Sequence, residues 1–385
     1  MANGAVKWCL GMGLVVMGCN GADLTDNGVG DAEGAATATM NGLVDINGLN
    51  SYNGLNSHNG LNSYNGLNSY NGLNSYNGLM STADGRATVS YLVRCALPAG
   101  HKITKQDQDN NWYTYQGAIG LAPGWETGAC DTLCQQSVSA CMMAHINTAG
   151  VHIPLWLDSP ATAIGWGQSA QYPNREGTFF GNIFTPNSAG TIDAFYCNGP
   201  GFNKDVVPGR LGANQVDAPY TNPFVDSATN PSGLCTPCAA SKADGADSCA
   251  ANGTTFTTPI TVWRGQTFQG ETGTFVGGKV LSCANCSNGK RLSGFTALQI
   301  PKVFSANAGT RTFIVYYTNG DTKAHSIKVG VGLNGIYYNF PPTGASDTVG
   351  SYLITVGGFS AGSNTVNFVP AQTTAGIDVD WVEVE

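Results

Sequence analysis

The chain has 385 residues, of which 17 are basic, 25 are acidic and only 11% are charged. So low a charged fraction excludes a charge-rich disordered protein and a coiled coil, and the length indicates more than one domain. A formal net charge of −8 without any basic run excludes a nucleic-acid-binding surface.

The first 18 residues have the pattern of a signal peptide. Lys7 supplies a positive charge, and the apolar run from Trp8 to Gly18 is about eleven residues long, which is too short to span a membrane. The run ends in Val16-Met17-Gly18-Cys19, which is similar to the cleavage motif of bacterial lipoproteins. This resemblance implies a chain that begins at a lipidated Cys19 and contacts the membrane through its lipid anchor alone. The alternative is an ordinary signal peptide.

The cysteine count favours the lipoprotein interpretation. If Cys9 leaves with the signal peptide and Cys19 carries lipid, the remaining cysteines number 12 − 2 = 10, which is even and suits disulfide bonding. Cysteine-rich chains of this kind belong to oxidising compartments. We therefore expect a secreted, extracellular protein in the bacterial cell envelope or at the cell surface.

Residues 19–84 are predicted to form a tether of low complexity. Seven hexads beginning Asn-Gly-Leu follow one another from Asn41 to Thr82. One leucine in six residues buries too little apolar surface to offset the entropy lost by ordering glycine and asparagine, so the repeat favours a flexible spacer. The alternative is a folded repeat that stacks its leucines. Those leucines are Leu49, Leu55, Leu61, Leu67 and Leu73.

Residues 85–258 are predicted to form a disulfide-rich α+β domain. Leu133, Val138 and Met142 recur at helical spacing and predict a helix over residues 131–148. Zinc ligation is an alternative to disulfides for the cysteines of the Cys-x-x-Cys pair and its neighbour. Those are Cys235, Cys238 and Cys249.

Acidic residues lie beside tryptophans in this middle domain. A glycosidase cleft has this composition, because two carboxyl groups flank the bond that is cleaved. The alternative is that they are ordinary acids of surface loops. The acids are Glu126, Asp158 and Glu176, and the tryptophans are Trp125, Trp156 and Trp166. No known catalytic motif accompanies them, so the catalytic residues of this domain, if any, are unknown.

Residues 259–385 are predicted to form an all-β sandwich, because apolar and polar residues alternate in segments separated by turns. The segments are 311–317, 326–333, 351–356 and 364–369.

Short motifs along this whole domain, in order, resemble carbohydrate-binding modules of families 6 and 35. They are Phe268-Gln269-Gly270-Glu271, Gly277-Gly278, Cys283 to Gly289, Ala308-Gly309-Thr310, Asn319-Gly320, Asn334-Gly335, Thr343-Gly344, Ala361 to Val366 and Asp380 to Val384. The resemblance implies a jelly-roll β-sandwich that binds a polysaccharide or other glycan.

The same resemblance implies a structural calcium ion and a local disulfide. Gln269, Glu271 and Asp380 would supply the amide and carboxylate oxygens that calcium prefers. Cys283 and Cys286 would be bonded to each other within their loop. The alternative for the three oxygen-bearing residues is that they are ordinary polar residues at strand ends.

The sugar-binding residues are less directly indicated. The tryptophan expected after Thr343-Gly344 is replaced by Ala345-Ser346, and the last loop lacks the usual asparagine. The aromatic residues that remain as stacking platforms could instead belong to the core, and a glutamine of the last loop could bind the sugar hydroxyls. These residues are Tyr337, Tyr338, Phe340, Tyr352 and Gln372.

Two functions therefore stay open. The first is a non-catalytic, lipid-anchored surface protein that recognises or adheres to glycans through its C-terminal module. The second is a lipid-anchored, glycan-active hydrolase whose catalytic site lies in the middle domain. An open groove with two carboxyl groups about 5 to 10 Å apart would favour the enzyme.

Overall fold

A computed structural model of the protein describes residues 43–47, 67, 79–145, 153–167, 169–185, 193–198, 223–224, 238–239, 245–332 and 334–385. The predicted signal peptide, Cys19 and most of the hexad repeat lie outside these ranges. Neither α-helix in the described ranges is long and apolar enough to cross a membrane.

The middle domain combines two α-helices with a mostly antiparallel sheet and two small sheets. Its elements are β1 (Leu43–Asn47), α1 (Ala83–Ala96), β2 (Lys102–Gln106), β3 (Trp112–Gln116), α2 (Thr132–Ala144), β4 (Ile153–Asp158), β5 (Asn174–Asn182), β6 (Asp193–Asn198), β7 (Pro223–Phe224), β8 (Cys238–Ala239), β9 (Ser248–Ala251), β10 (Thr254–Phe256) and β11 (Ile260–Arg264). Short 3₁₀ turns lie at Leu79–Ser81 and Pro123–Glu126.

Side-chain caps fix the start of both helices. Thr82 Oγ1 accepts the N–H of Gly85 at 3.0 Å, and Asp131 Oδ1 accepts the N–H of Cys134 at 2.9 Å. Each bond satisfies a donor that the first turn leaves unpaired. The predicted helix over residues 131–148 is therefore correct at its start, but α2 ends at Ala144.

The main sheet of the middle domain has the strand order β1-β4-β11-β5-β6-β7. Its first strand comes from the segment predicted to be a flexible tether, and Leu43 to Asn47 pair antiparallel with Ile153 to Leu157. Leu67 of the hexad repeat is also buried in the core of this domain, and its N–H donates to Trp125 O at 2.8 Å. These residues of the predicted tether therefore contact the middle domain, residues 43–47 along the edge of β4 and Leu67 in its core.

The change from the middle sheet to the sandwich falls at Gly265. Ile260–Arg264 forms β11, which lies between β4 and β5, whereas the next strand pairs within the sandwich. The predicted start of the C-terminal domain at residue 259 therefore assigns one strand of the middle sheet to the sandwich. Likewise, α1 begins at Ala83, two residues before the predicted middle-domain boundary.

Four disulfides lie within the described ranges. They are Cys95–Cys141, Cys130–Cys134, Cys238–Cys249 and Cys283–Cys286. The first joins α1 to α2. The third removes two of the thiolates that the zinc alternative needs, so disulfide bonding is the correct interpretation there.

The C-terminal domain consists of nine strands in one curved sheet. They are β12 (Gln266–Gln269), β13 (Thr274–Ser282), β14 (Lys290–Ser305), β15 (Gly309–Thr318), β16 (His325–Val331), β17 (Ile336–Phe340), β18 (Val349–Phe359), β19 (Gly362–Pro370) and β20 (Asp378–Val384), with 3₁₀ turns at Gly270–Thr272 and Ser287–Gly289.

The sheet folds back on itself into a nearly closed sandwich. The strand order is β17-β16-β19-β14-β20-β15-β18, with β12 on β20 and β13 on β14, and β18 returns to pack against β16 and β17. Gly278 of β13, at φ +71°, lies near a bulge at Thr296 of β14, and a Cβ on this glycine would meet Ser293 O at 2.7 Å. Only glycine fits there. The predicted fold class, a jelly-roll sandwich after a disulfide-rich α+β domain, is confirmed.

Disulfide loop length predicts unequal contributions to stability. The Cys95–Cys141 bond spans a sequence separation of 46, and Cys283–Cys286 spans 3. Because a longer closed loop restricts the unfolded chain more, replacing both cysteines by alanine should lower the free energy of unfolding by about 4 kcal/mol for the first pair and about 2 kcal/mol for the second. Urea unfolding followed by circular dichroism measures both, and a larger loss for the short loop would contradict this prediction.

Candidate metal and glycan sites

The residues predicted to bind calcium come from the first and last strands of the sandwich. Gln269 ends β12 and pairs with Trp381 of β20, next to Asp380. Glu271 lies in the 3₁₀ turn that follows β12. Gly270 between them allows close approach to the last strand, since a Cβ there would lie 2.5 Å from Val379 O. Strand pairing thus assembles these residues at one edge of the sandwich.

A β-bulge places Asp380. Along β20, Trp381 pairs with Tyr316 and Val379 pairs with Tyr317, so Asp380 is an extra residue opposite no partner. Bulges re-aim a side chain out of the regular alternation of a strand. Val379 continues into the core, whereas the carboxyl group of Asp380 bonds outside the core to the loop that contains Ser287.

Three buried oxygens of this trio accept no hydrogen bond from the described residues. They are Gln269 Oε1, Glu271 Oε2 and Asp380 Oδ1. The other polar atoms of two of these side chains are satisfied, since Gln269 Nε2 donates to Ser287 Oγ at 3.0 Å and Asp380 Oδ2 accepts the Ser287 N–H at 3.1 Å. Buried oxygens without a donor fit a hard cation, which prefers oxygen ligands.

The electrostatics of Asp380 point the same way. The pKa of Asp380 is raised to about 7, mainly by burial and also by the charge of Glu271, while the Ser287 N–H and Arg291 oppose the shift. The carboxyl group therefore lacks enough positive charge or hydrogen bonding from the protein. A bound cation would supply that charge and hold Asp380 ionised.

The disulfide loop positions Ser287, which sequence reasoning did not identify. Cys283 and Cys286 are bonded, as the resemblance implied, and the Cys283 N–H donates to Gly289 O at 2.9 Å. Ser287 follows directly and contacts both Gln269 and Asp380. The sequence shows that Ser287 directly follows the two cysteines, but it does not show that Ser287 contacts Gln269 and Asp380.

The structure separates the predicted stacking aromatics. Phe340 is fully buried and packs edge-on against Tyr317 and Tyr352, at ring distances of 5.1 and 5.3 Å. Tyr352 and Tyr338 are half-buried against the same core, and the Tyr338 hydroxyl donates to Thr355 O. The prediction that Phe340 is a sugar platform is wrong, because strand alternation directs it inward.

Tyr337 has the opposite orientation and is 59% exposed. It pairs with Lys328 of β16, which in turn pairs with Val369 of β19, and Asn339 pairs with Ser326. We call these five residues the outer face. An exposed ring among amide, hydroxyl and ammonium groups suits an amphipathic ligand that is apolar on one side and bears hydroxyls on its rim.

Gln372 is exposed in the loop after β19. The N–H of the preceding Ala371 donates to Ser326 O at 2.9 Å, whereas Tyr337 pairs with Lys328. These two positions on β16 are ~7 Å apart along the strand. Gln372 therefore lies at the margin of the outer face.

Each of the three acids of the middle domain contacts other groups of the fold. Glu126 Oε2 lies 2.8 Å from His101 Nδ1 near the surface. Asp158 is fully buried, and its Oδ1 accepts the Trp156 indole N–H at 3.2 Å and the Gly167 N–H at 3.0 Å.

The third acid, Glu176, is also buried, and its Oε1 lies 3.6 Å from Arg264 Nη1. Each of the three carboxyl groups thus has its own partner within the fold. This arrangement indicates structural roles.

The solved structures that are similar to this chain match its C-terminal sandwich. No protein-family model matches the chain, and no curated protein matches it. Among solved structures, a family 35 carbohydrate-binding module from Clostridium thermocellum is 20% identical, covers 31% of this chain and 95% of its own, and has a TM-score of 0.29. A family 35 module from Paenibacillus barcinonensis is 19% identical over 31% of this chain and 98% of its own, with a TM-score of 0.29.

An exo-beta-1,3-galactanase from Phanerochaete chrysosporium, solved with galactose, is also similar. It is 19% identical, covers 33% of this chain with a TM-score of 0.29, and is itself covered over 38% of its length. The chain therefore spans well under half of that enzyme. The similar region is the C-terminal part of this chain, which resembles family 35 modules.

Phe340 and Tyr337 have different orientations, so replacing each by alanine should destabilise the fold by different amounts. Phe340→Ala should lower the free energy of unfolding by about 3 to 5 kcal/mol, because it leaves a cavity in the core. Tyr337→Ala should change it by less than about 0.5 kcal/mol, because its ring is mostly in water. Chemical denaturation of both variants tests this, and a large loss for Tyr337→Ala would place its ring in the core.

Proposed function

We propose that this protein is a secreted glycan-binding protein, anchored at the bacterial cell surface by a lipid on Cys19. Its outer face binds a polysaccharide, and calcium stabilises the sandwich that carries this face. The observation that carries the proposal is the exposed ring of Tyr337 on a sheet face lined with hydrogen-bonding side chains. The motifs shared with families 6 and 35 support it independently.

The chemistry of the outer face favours a sugar. A pyranose presents an apolar face of C–H groups and a rim of hydroxyls, so it can stack on a tyrosine while polar neighbours bind the rim. Asn339, Ser326 and Lys328 flank that ring across two paired strands. Val369 extends the apolar part of the surface, since it is 40% exposed. Such a surface recognises a glycan without needing a deep pocket.

Calcium has a structural part in this proposal. Gln269, Glu271 and Asp380 would hold the ion, because each has a buried oxygen without a donor among the described residues. The ion would neutralise the two carboxylates and link the first strand of the sandwich to the last. Catalysis is not part of the proposal, because the middle-domain acids are held by partners within the fold.

Secretion and lipid anchoring fit the same proposal. The disulfides need an oxidising compartment, and the sequence before Cys19 has the lipoprotein pattern. A surface position would place the outer face where extracellular polysaccharides occur.

A glycan array tests the central part of the proposal. The chain from residue 19, with Cys19→Ser to avoid lipidation, should bind at least one polysaccharide class, and Tyr337→Ala should weaken that binding at least tenfold, which is about 1.4 kcal/mol. Ile336→Ala is the matched control, because Ile336 is equally exposed, at 60%, but has the opposite orientation on the strand. Equal loss in both variants, or none in Tyr337→Ala, would contradict the proposed face.

Chelation tests the calcium part. An ion at a hundredfold excess over its dissociation constant stabilises the folded state by about 2.7 kcal/mol, so chelator should lower the melting temperature by several degrees. Asp380→Asn should melt at the same temperature with and without calcium, whereas Asp347→Asn, an exposed acid, should keep the calcium response. A wild-type melting curve that chelator leaves unchanged would refute calcium binding.

A further inference from the structure

An ionic cluster lies buried where the middle sheet meets the sandwich. Arg264, the last residue of β11, is 3% exposed. Its Nε donates to Glu385 Oε1 at 2.8 Å, and its Nη2 lies 2.9 Å from Glu383 Oε1. These two glutamates stand in and just after β20, so one guanidinium joins the two domains.

A third carboxyl group makes the cluster too negative. Glu176 of β5 lies 3.6 Å from Arg264 Nη1 and is buried as well. Glu383 and Glu385, when both are ionised, already outnumber the one guanidinium that they contact, and the nearby Glu176 makes ionisation of Glu383 still less favourable. Buried charge without compensation costs several kcal/mol per ion, so the cluster needs at least one proton.

The geometry shows where a proton would reside. The carboxyl groups of Glu383 and Glu385 are neighbours, because an Oε1 atom of each lies within 2.9 Å of the same guanidinium. The second oxygen of each, Oε2, is buried and accepts no hydrogen bond from the described residues. A proton on one carboxyl group would let it donate to the other and would remove the excess negative charge of this pair over Arg264.

The surroundings favour that protonated state. Burial raises the pKa of Glu383 well above its usual range and raises that of Glu385, and Arg264 opposes both shifts. Two tyrosines face the cluster from other elements, Tyr316 of β15 and Tyr172 before β5. Burial raises the pKa of each tyrosine, so both hydroxyls stay neutral, and Arg311 is a further positive charge that acts on Tyr172.

We propose that Glu383 and Glu385 share one proton in the folded protein, and that this proton keeps the contact between the middle sheet and the sandwich closed. Two further bonds at this contact are neutral. Asn174 Nδ2 donates to Gly265 O, and the Ala306 N–H donates to Gln171 Oε1 at 3.4 Å. As the pH rises, the proton passes to water and an excess negative charge appears inside the contact. The cluster is therefore a latch that weakens at alkaline pH.

The sign of the pH dependence follows from proton binding. In the unfolded chain a glutamate loses its proton near pH 4.3, whereas the folded cluster keeps one proton to higher pH. The folded state thus binds one more proton above about pH 4.5. Over that range the unfolding equilibrium constant rises tenfold per pH unit, until the folded cluster also loses the proton.

The proposal is tested by urea unfolding of the whole chain from residue 19, with Cys19→Ser. The pH is varied from 5 to 9, and the calcium concentration is held constant. Glu383→Gln mimics the protonated side chain. Its unfolding equilibrium constant should therefore rise less with pH than that of wild type, and the two should differ by up to tenfold for each pH unit. Asp347→Asn removes an exposed acid and should keep the wild-type slope.

Equal slopes in wild type and Glu383→Gln would overturn the proposal. If Glu383→Gln does not fold, the same comparison with Glu385→Gln decides. If neither variant folds, hydrogen exchange of wild-type amides in β5 and β20 decides. Faster opening at pH 9 than at pH 6, after correction for intrinsic exchange rates, supports the latch, and unchanged opening overturns it.

Discussion

The burial of acidic side chains at the end of the chain is the constraint on which the structure depends. Asp380, Glu383 and Glu385 are each only 1% exposed, in or next to a strand that packs apolar residues on both sides. A buried carboxylate is unfavourable unless positive charge, hydrogen bonds or a proton compensate it. Arg264 supplies part of that charge for the two glutamates, and the proposed shared proton supplies the rest. Asp380 receives one N–H bond from Ser287, which leaves a place for a cation.

These compensations connect parts of the chain that are distant in sequence. Arg264 ends a strand of the middle sheet, so compensating the glutamates requires the two domains to be in contact. The disulfide loop precedes Ser287, which bonds to Asp380, so the proposed cation site depends on a covalent bond within the sandwich. The outer face is built from β16, β17 and β19 instead, which makes glycan binding separable from the compensation of buried charge.

Much of the sandwich was predictable, because alternation and turn motifs depend on neighbouring residues. Alternation does not say which set of side chains faces the core. Only the structure shows that Phe340 points inward and Tyr337 points outward. Val382-Glu383-Val384-Glu385 is typical of a strand with one face in water, yet the middle domain covers those glutamates. The pairing of β1 with β4 and the partner of Arg264 were unpredictable because both are contacts between distant segments.

The central claim is that the protein leaves Asp380 with too little compensating charge and that a calcium ion supplies it. Isothermal titration calorimetry of calcium into the metal-free chain tests this most directly. The account predicts saturable binding of a single ion per chain, lost in Glu271→Gln and Asp380→Asn and kept in Asp347→Asn. No saturable heat in wild type, or unchanged binding in Asp380→Asn, would contradict it.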